Sequence, residues 1–491
     1  MVTIVLLHTN DLHGHLTSWQ GWEGELEGKR IGGFDRLVSA VARTRRQVGE
    51  NVLLLDAGDL IGDTMLADLT KGESLITALN HLKYDALTFG NHEPDFGTAV
   101  LRERMAQADF PFVAANLVDR KSGSLFAAPY IIRNVGGISV GILGLAYPKT
   151  PLTTAKENVA EVEFQDPLPA VTRYLPELRE AGAEIVIVLS HLGLGGDQRL
   201  AEAVPGIDVI VGGHSHNRMA KAEQIGKTLI IQAGAHGSDL GRLDLDIENG
   251  RVTGHRRTLI SLDHEHVESD AAAEQLLNEI LAPHRTALEE IVGTAADWLV
   301  RAQTLAGQKA RKRSDESPVD SLFGDILREQ FDADIAFLPG VGYGVAIPPG
   351  PITAADLRQL MPHDGKVVTM SLSGDQVLDI LEQAVENTFT DDPGVKVGGM
   401  IQVSGIRFRY DQALRKGKRI THVELTDLAW NSEHKFSVVT NSMLAQGGHS
   451  QKSFLRGEGV IRHDSQYELI KKWFQTYSPV QTPPPGRIAA R

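Results

Sequence analysis

The sequence predicts an α/β protein built on a layered, largely parallel sheet, and three observations carry that prediction. Short apolar runs, mostly β-branched, recur through the first half of the chain, as in strands buried on both faces. Stretches of helical character lie between several of them. Nearly every run ends in a cluster of Asp, His, Asn and Gly. In such sheets ligands collect at the carboxyl ends of strands, so this ordering puts a polar site at one end of the sheet.

Taken in order, the run at 2–7 leads into His8-Thr9-Asn10-Asp11-Leu12-His13-Gly14-His15, and residues 34–47 read as a helix. The run at 52–55 leads into Asp56-Ala57-Gly58-Asp59, and 75–82 reads as a second helix. The run at 86–89 ends in Gly90-Asn91-His92-Glu93-Pro94-Asp95, and a short strand at 113–115 is expected to end at Asn116. A helix at 169–181 precedes the run at 185–189, which ends in Ser190-His191. The run at 209–211 ends in Gly212-Gly213-His214-Ser215-His216, and strands at 229–232 and 243–247 finish the layer. Residues 267–292 predict a mostly helical connector, because Leu276, Leu277, Ile280, Leu281, Leu288 and Ile291 recur near helical period. A chain of 491 residues is too long for one core and predicts two or three units of about 150 residues or more. The expected boundaries are 1–262, a connector at 263–293, and 294–491.

Spacing adds chemistry. Asp11 and His13 are two apart, as are His214 and His216, so in locally extended chain each pair points to one side and can grip one ion. Carboxylate, imidazole and amide oxygen suit a divalent Mn, Zn, Fe or Co ion, and the absence of cysteine excludes thiolate ligation. Two such ions roughly 3.5–4 Å apart polarise an ester, activate water and neutralise the attacking and leaving oxygens, which is hydrolysis. Singly, Asp59 is as well explained as a turn or helix-cap residue and His191 as a buried, satisfied histidine. It is the ordered set that argues for ligands. Asp56, His15, His8 and Asn10 read as supports of the loops, and Asn116 as a turn residue.

The ordered series Asp-x-His, Gly-Asp, Gly-Asn-His-Glu, a lone His after a strand and Gly-Gly-His-x-His resembles the calcineurin-like metallophosphoesterases. The opening Leu-His-Thr-Asn-Asp-Leu-His-Gly narrows the resemblance to the 5'-nucleotidase and UDP-sugar hydrolase family. That resemblance implies a four-layer α/β/β/α metallophosphoesterase sandwich followed by a C-terminal α/β substrate domain. It implies two divalent metal ions, Mn or Zn first and Fe or Co next. One would be held by Asp11, His13, Asp59 and His216, and the other by Asp59, Asn91, His191 and His214. Many relatives carry Gln where this chain has His216. His92 matches the family's catalytic histidine and Asp95 the carboxylate that orients it.

The second domain resembles the same family through Asp315-Glu316-Ser317, Ala333-Asp334-Ile335-Ala336-Phe337, Gly350-Pro351-Ile352-Thr353 and Ala445-Gln446-Gly447-Gly448. It departs where the family recognises its substrate. The phosphate-binding arginine of Asn-Gly-Gly-Ile-Arg is absent from Pro339-Gly340-Val341-Gly342-Tyr343-Gly344. Two base-stacking aromatic positions correspond to Met400 and Met443, and the ribose-binding aspartate to His449. A thioether keeps only part of the stacking an aromatic face offers. Met400, Met443, His449 and Tyr343 are therefore the expected lining of a retuned substrate site, with core filling by the methionines as the alternative. The stretches 339–344, 381–393 and 398–401 also resemble the sulfate thiohydrolase of thiosulfate oxidation, which leaves a sulfur ester as an alternative substrate. A metal-binding pseudoenzyme that acts as an interaction protein is a third reading, and intact His92 and Asp95 argue against it.

The formal charge of −14 disfavours nucleic-acid polymers and anionic membranes as partners and leaves a small ester. No run of eighteen apolar residues is present, so no transmembrane helix is expected. The chain begins almost directly in its first strand, so the expectation is a cytoplasmic protein, or a periplasmic or extracellular one if a signal peptide has been trimmed. The basic run Lys309-Ala310-Arg311-Lys312-Arg313 reads as a solvated loop. Oligomeric state is not readable from the sequence.

Overall fold

From Ile4 onward every side chain of the strand Val2–Thr9 is buried, on one face of its sheet or the other. Such a run demands cover on both sides. The computed structural model describes residues 1–22, 24–301, 313–390, 397–426 and 428–490. The chain divides into two compact units, Met1–Arg285 and Thr286–Arg491.

The first unit is built on two sheets. One runs in the order Arg251–Ser261, Asp239–Glu248, Val2–Thr9, Val52–Asp56, Ala86–Leu87, with its last three strands parallel. The other runs Glu223–Ile225, Thr228–Ile231, Val209–Gly212, Ile185–Ser190, Ile138–Leu145, Tyr130–Val135, with its four central strands parallel. Ile4, Leu6, Leu53 and Leu55 from the first sheet share one buried core with Ile142, Ile187, Leu189 and Val211 from the second. On the outer side of the second sheet, Val186, Val188 and Ile210 pack with Val171, Leu175 and Leu178 of the helix Pro167–Glu180. The helix Phe34–Val48 buries Phe34, Leu37, Val38 and Val41, an i, i+3, i+4, i+7 stripe, and contacts the strand Asp239–Glu248 of the first sheet. The result is the α/β/β/α sandwich. Register brings the strand ends level: Thr9 lies opposite Asp56, Asp56 opposite Leu87, and Ser190 opposite Gly212. Every polar cluster thus leaves its sheet at the same end.

Two local expectations change. No strand forms at 113–115, because successive amides there bond different partners: Val113 donates to Leu87, Ala114 to Ala128 and Ala115 to Gly144. The segment crosses between neighbours instead of forming a ladder with one. The connector is mostly helical, as expected, but broken: a 3-10 turn separates its first helix from a short second one, Arg285–Leu288. A helix runs over Ala271–Leu281, capped by Asp270, whose carboxylate accepts from the amides of Ala272 and Ala273. Pro283 then lies in a short 3-10 turn, Ala282–His284, and Ile291 opens a strand, Ile291–Ala295, paired with Gly350–Thr353. Proline lacks the amide that a continuous α-helix needs.

The second unit has a mixed sheet in the order Gln402–Ser404, Ile335–Leu338, Lys435–Asn441, Lys366–Ser373, Glu458–Ser465. Its helices begin at local signals: Ser317 caps Pro318–Gln330, and Ser373 with Gln376 forms a capping box at the start of Gly374–Phe389. Phe337, Val368, Ile380, Leu381, Phe408, Phe436 and Phe454 meet in one core. Residues 309–312 of the basic run, and 391–393 of the stretch resembling the thiohydrolase, lie outside the described residues. Among the described residues no helix is long and apolar enough to cross a membrane.

Ile187 has no exposed surface and stands between the two sheets. Ile187→Ala is expected to destabilise the first unit by about 2–5 kcal/mol, read from the shift of its transition in a urea titration.

Candidate metal centre

At the level strand ends, Asp11, His13 and His216 bring one ligand atom each to within 4.8 Å of one another, and Asp59, His191 and His214 do the same. In the first group His13 Nε2 and His216 Nε2 face each other at 3.0 Å, and His216 Nε2 is 3.4 Å from Asp11 Oδ1. In the second, His191 Nε2 is 2.9 Å from Asp59 Oδ2. The same Asp59 oxygen is 3.8 Å from His13 Nε2, so this carboxylate spans both groups. Asn91 Oδ1 is buried and has no hydrogen-bond partner. A buried amide oxygen left in that condition costs about 1–3 kcal/mol unless something else coordinates it.

The charges point the same way. Burial alone would raise the Asp11 carboxyl, but the His216 and His191 imidazoles together lower it to about 2. Asp59 lies well below the usual carboxylate range, because His191 and His92 overcome its burial. Against burial, which disfavours the cation, Asp59 lifts the His191 imidazole up to about 10. A divalent ion would use the lone pairs of these histidines and balance the two enclosed carboxylates. His191 Nδ1 lies 2.7 Å from the carbonyl of Ala57, so Nδ1–H donates there and Nε2 is turned inward. The donor set is nitrogen and oxygen only, which fits a divalent cation.

Holding these side chains together strains the backbone. Asp11, His13, Asp59, His214 and His216 all take positive φ, at 53°, 47°, 55°, 70° and 57°. Left-handed backbone at a residue other than glycine costs on the order of 1 kcal/mol or more and persists only where its surroundings over-determine it. The surroundings here do so. Asp11 accepts the His214 amide at both oxygens, 2.9 and 3.1 Å, and the Asn10 side chain at 2.6 Å. Asn10 is itself pinned between Gly234 and Ala233. Asp56 accepts Thr9 Oγ1 and the Gly58 amide, shaping the turn into Asp59. Asp59 Oδ1 accepts the His92 amide at 2.8 Å. His15 Nδ1 lies 2.9 Å from the His13 carbonyl.

His92 stands beside these groups with Nδ1 2.7 Å from Asp95 Oδ2. Asp95 is held in turn, since its other oxygen accepts Thr154 Oγ1 at 3.0 Å and its carbonyl accepts Asn158 at 2.6 Å. The nine first-unit residues singled out in the sequence as ligands or catalytic groups thus all reach one locality. His8 does not join them: burial keeps its ring neutral and it packs on Gly241. Asn116 is more than a turn residue, because its side chain bonds Ala146 through both ends and ties two loops.

Sequence reading passed over Glu93, whose carboxylate accepts the amides of Leu60, Asp59 and Gly90 at 2.7, 3.2 and 2.5 Å. It lies inside the Gly-Asn-His-Glu motif, and that position was the available signal. Asp63, His236 and Tyr147 were also passed over. Tyr147 lays its ring 3.9 Å from that of His214, and His236 lies 5.6 Å from the His13 ring. Nothing in the local sequence of these three marks them.

In the second unit the expected substrate residues divide. Met400 has no exposed surface and belongs to the core, so the expectation that it contacts substrate gives way to core filling. Met443 packs partly buried against the same core. His449 is buried at φ 49°, with its carbonyl accepting from Asn387 and its ring beside Gly398. Tyr343 pairs its hydroxyl with His363 Nε2 at 2.6 Å.

A cluster of imidazoles and carboxylates at the strand ends of a four-layer sandwich is the arrangement of a candidate metal centre. Residues 4–218 match the calcineurin-like phosphoesterase family, and residues 291–456 match the 5'-nucleotidase C-terminal domain. It is 27% identical to the trifunctional nucleotide phosphoesterase protein YfkN of Bacillus subtilis, over 97% of this chain but only 34% of that protein's length. A solved 5'-nucleotidase precursor from Thermus thermophilus is 28% identical with a TM-score of 0.88, covering 100% of this chain and 99% of its own. The sulfate thiohydrolase SoxB of Thermus thermophilus shares the fold, with a TM-score of 0.88 at 24% identity over 99% of this chain and 96% of its own.

Gly90 touches Asp59 so closely that an added Cβ would lie 2.1 Å from Asp59 Oδ1 and 2.5 Å from its amide nitrogen. Gly90→Ala is therefore expected to displace Asp59 and lower bound metal per chain, measured by elemental analysis of the purified variant.

Proposed function

We propose that this chain hydrolyses small phosphate esters at a dinuclear centre, with a specificity in its second unit retuned away from unmodified nucleotides. The observation that carries the reading is the convergence of two ligand groups on the shared Asp59, beside a His92–Asp95 pair at 2.7 Å. Asp11, His13, Asp59 and His216 would hold one ion, and Asp59, Asn91, His191 and His214 the other. Two divalent ions supply Lewis acidity there, polarising the ester and activating water. His92 acts on the leaving group. With Nδ1 committed to Asp95, Nε2 is the ring atom that meets the departing oxygen and gives it a proton. Burial opposes a charge on this ring, while Asp95 and Asp63 act the other way and raise its pKa well above the ordinary value. Asp95, fixed by Thr154, keeps the ring oriented.

For the second unit the support is what is missing. The loop at 339–344 has no arginine for a phosphate, and His449 stands where the resemblance leads to an aspartate for ribose. The expected preference is for esters other than unmodified nucleoside monophosphates.

Phosphate release by protein loaded with Mn, Zn, Co or Fe, screened against nucleotides, sugar phosphates, phosphodiesters and sulfur esters, tests this reading. Metal-dependent turnover of small phosphate esters is expected. Turnover of sulfur esters alone would replace it with a thiohydrolase-like activity, and no turnover of any ester would sink it. His92→Ala should cut kcat by about 10²-fold or more with metal content unchanged. Asp59→Ala should lose both ions or most of their affinity, and full occupancy by elemental analysis would refute its bridging role.

A further inference from the structure

Asp63, one of the carboxylates that act on the His92 ring, stands in a group with His13 and His92. It is 2% exposed and stands in the left-handed region at φ 61°, where glycine is the ordinary occupant. Asp63 Oδ2 lies 2.7 Å from His13 Nδ1, and Oδ1 lies 4.0 Å from His92 Nδ1. The ring of His13 is thus gripped from behind, since its other nitrogen, Nε2, faces His216 at 3.0 Å and Asp11 and Asp59 each at 3.8 Å. The turn that carries Asp63 is locked in place. A Cβ on Gly62 would meet the His92 ring and Asp95 Oδ2 at 3.3 Å, so its backbone packs on that pair. A Cβ on Gly14 would meet Gly62 O at 2.5 Å and Thr64 Oγ1 at 2.6 Å, so the turn also interlocks with the loop that bears His13.

We infer that Asp63 is a positioning residue of the centre: its carboxylate, 2.7 Å from Nδ1 of His13, favours the tautomer with the proton on that nitrogen and the lone pair on Nε2, and orients the ring toward the ion that Asp11 and His216 would share. A carboxylate on the far nitrogen of a metal-binding imidazole also makes the ring more basic, and removing such a partner typically weakens metal binding about 10–100-fold. Asp63 acts through His13 and touches no reacting atom. The inference rests on the metal-centre reading proposed above and extends it to one named carboxylate.

The test is an equilibrium titration of the full, chelator-treated chain with Mn²⁺ alone, following unbound ion by its paramagnetic resonance. Wild type, Asp63→Gly and Asp63→Asn are compared, with thermal unfolding confirming that each is folded. Glycine takes φ 61° without strain, so Asp63→Gly removes the carboxylate and leaves the turn in place. Two ions are expected in the wild type. Asp63→Gly should weaken one of them about 10–100-fold and spare the other, and Asp63→Asn, which keeps an oxygen for the Nδ1 proton, should recover much of the loss. Wild-type affinity for both ions in Asp63→Gly overturns the inference. So does equal weakening of both, which would mean general loop packing, or loss of an ion that asparagine does not recover, which would make Asp63 a ligand itself. Each of those results leaves the two-ion centre standing. A wild-type chain that binds no Mn²⁺ overturns the centre and the inference together.

Discussion

The Asp59 carboxylate, enclosed between His13 and His191, is the interaction on which the first unit's active end depends. An unpaired carboxylate at 2% exposure would be costly, and it is tolerable because imidazoles on both sides share its charge. The same arrangement makes the place receptive to cations. Asp11 repeats the logic beside His216, so two buried negative charges stand within one group of nitrogen ligands. The neighbouring loops are organised to keep them there. Glu93 gathers the amides of Asp59, Leu60 and Gly90, and Asp11 gathers the amide of His214, so carboxylates also tie the loops to one another.

That arrangement needs a stiff platform. The parallel strands Val2–Thr9, Val52–Asp56 and Ala86–Leu87 end level with one another, and Ile185–Ser190 and Val209–Gly212 do the same in the facing sheet. Each loop then has only a few residues in which to turn its ligand inward, which is why five of the seven expected ligands sit in left-handed backbone. Core packing between the sheets, through residues such as Ile187 and Leu55, supplies the rigidity that this strain is held against.

The second unit follows a different economy of positions. Its helices start from local capping signals at Ser317, Thr353 and Ser373, and its core is filled by phenylalanine and aliphatic residues, with Met400 among them. Methionine adapts to irregular space, so its presence in a recognition motif is not evidence of recognition. His449 is buried and in left-handed backbone next to Gly398, where its ring fills the space that a side chain at 398 would need.

Much of the first unit is legible in the sequence, because β-branched runs and level polar endings follow from local burial and need no knowledge of distant contacts. Asp11, His13, Asp59, Asn91, His191, His214 and His216 could be read from their places after strands, but the spacing argument failed in part: the backbone at both pairs is left-handed and not extended, and His214 and His216 turn to different groups. The strand expected at 113–115 failed because its amides bond three separate partners, a choice made by tertiary neighbours. Ile291 joined a strand because its segment pairs with Gly350–Thr353, a partner distant in the chain. Met400 was misjudged because burial belongs to the whole core and not to the motif around it. What the sequence by itself determined was where the strands that carry the polar clusters lie and which groups stand at their ends. What only the tertiary structure decided was the pairing of those strands with others such as Ile138–Leu145, and which carboxylates stand behind the groups, Glu93 and Asp63 above all, because a polar contact between loops leaves no periodic trace in either.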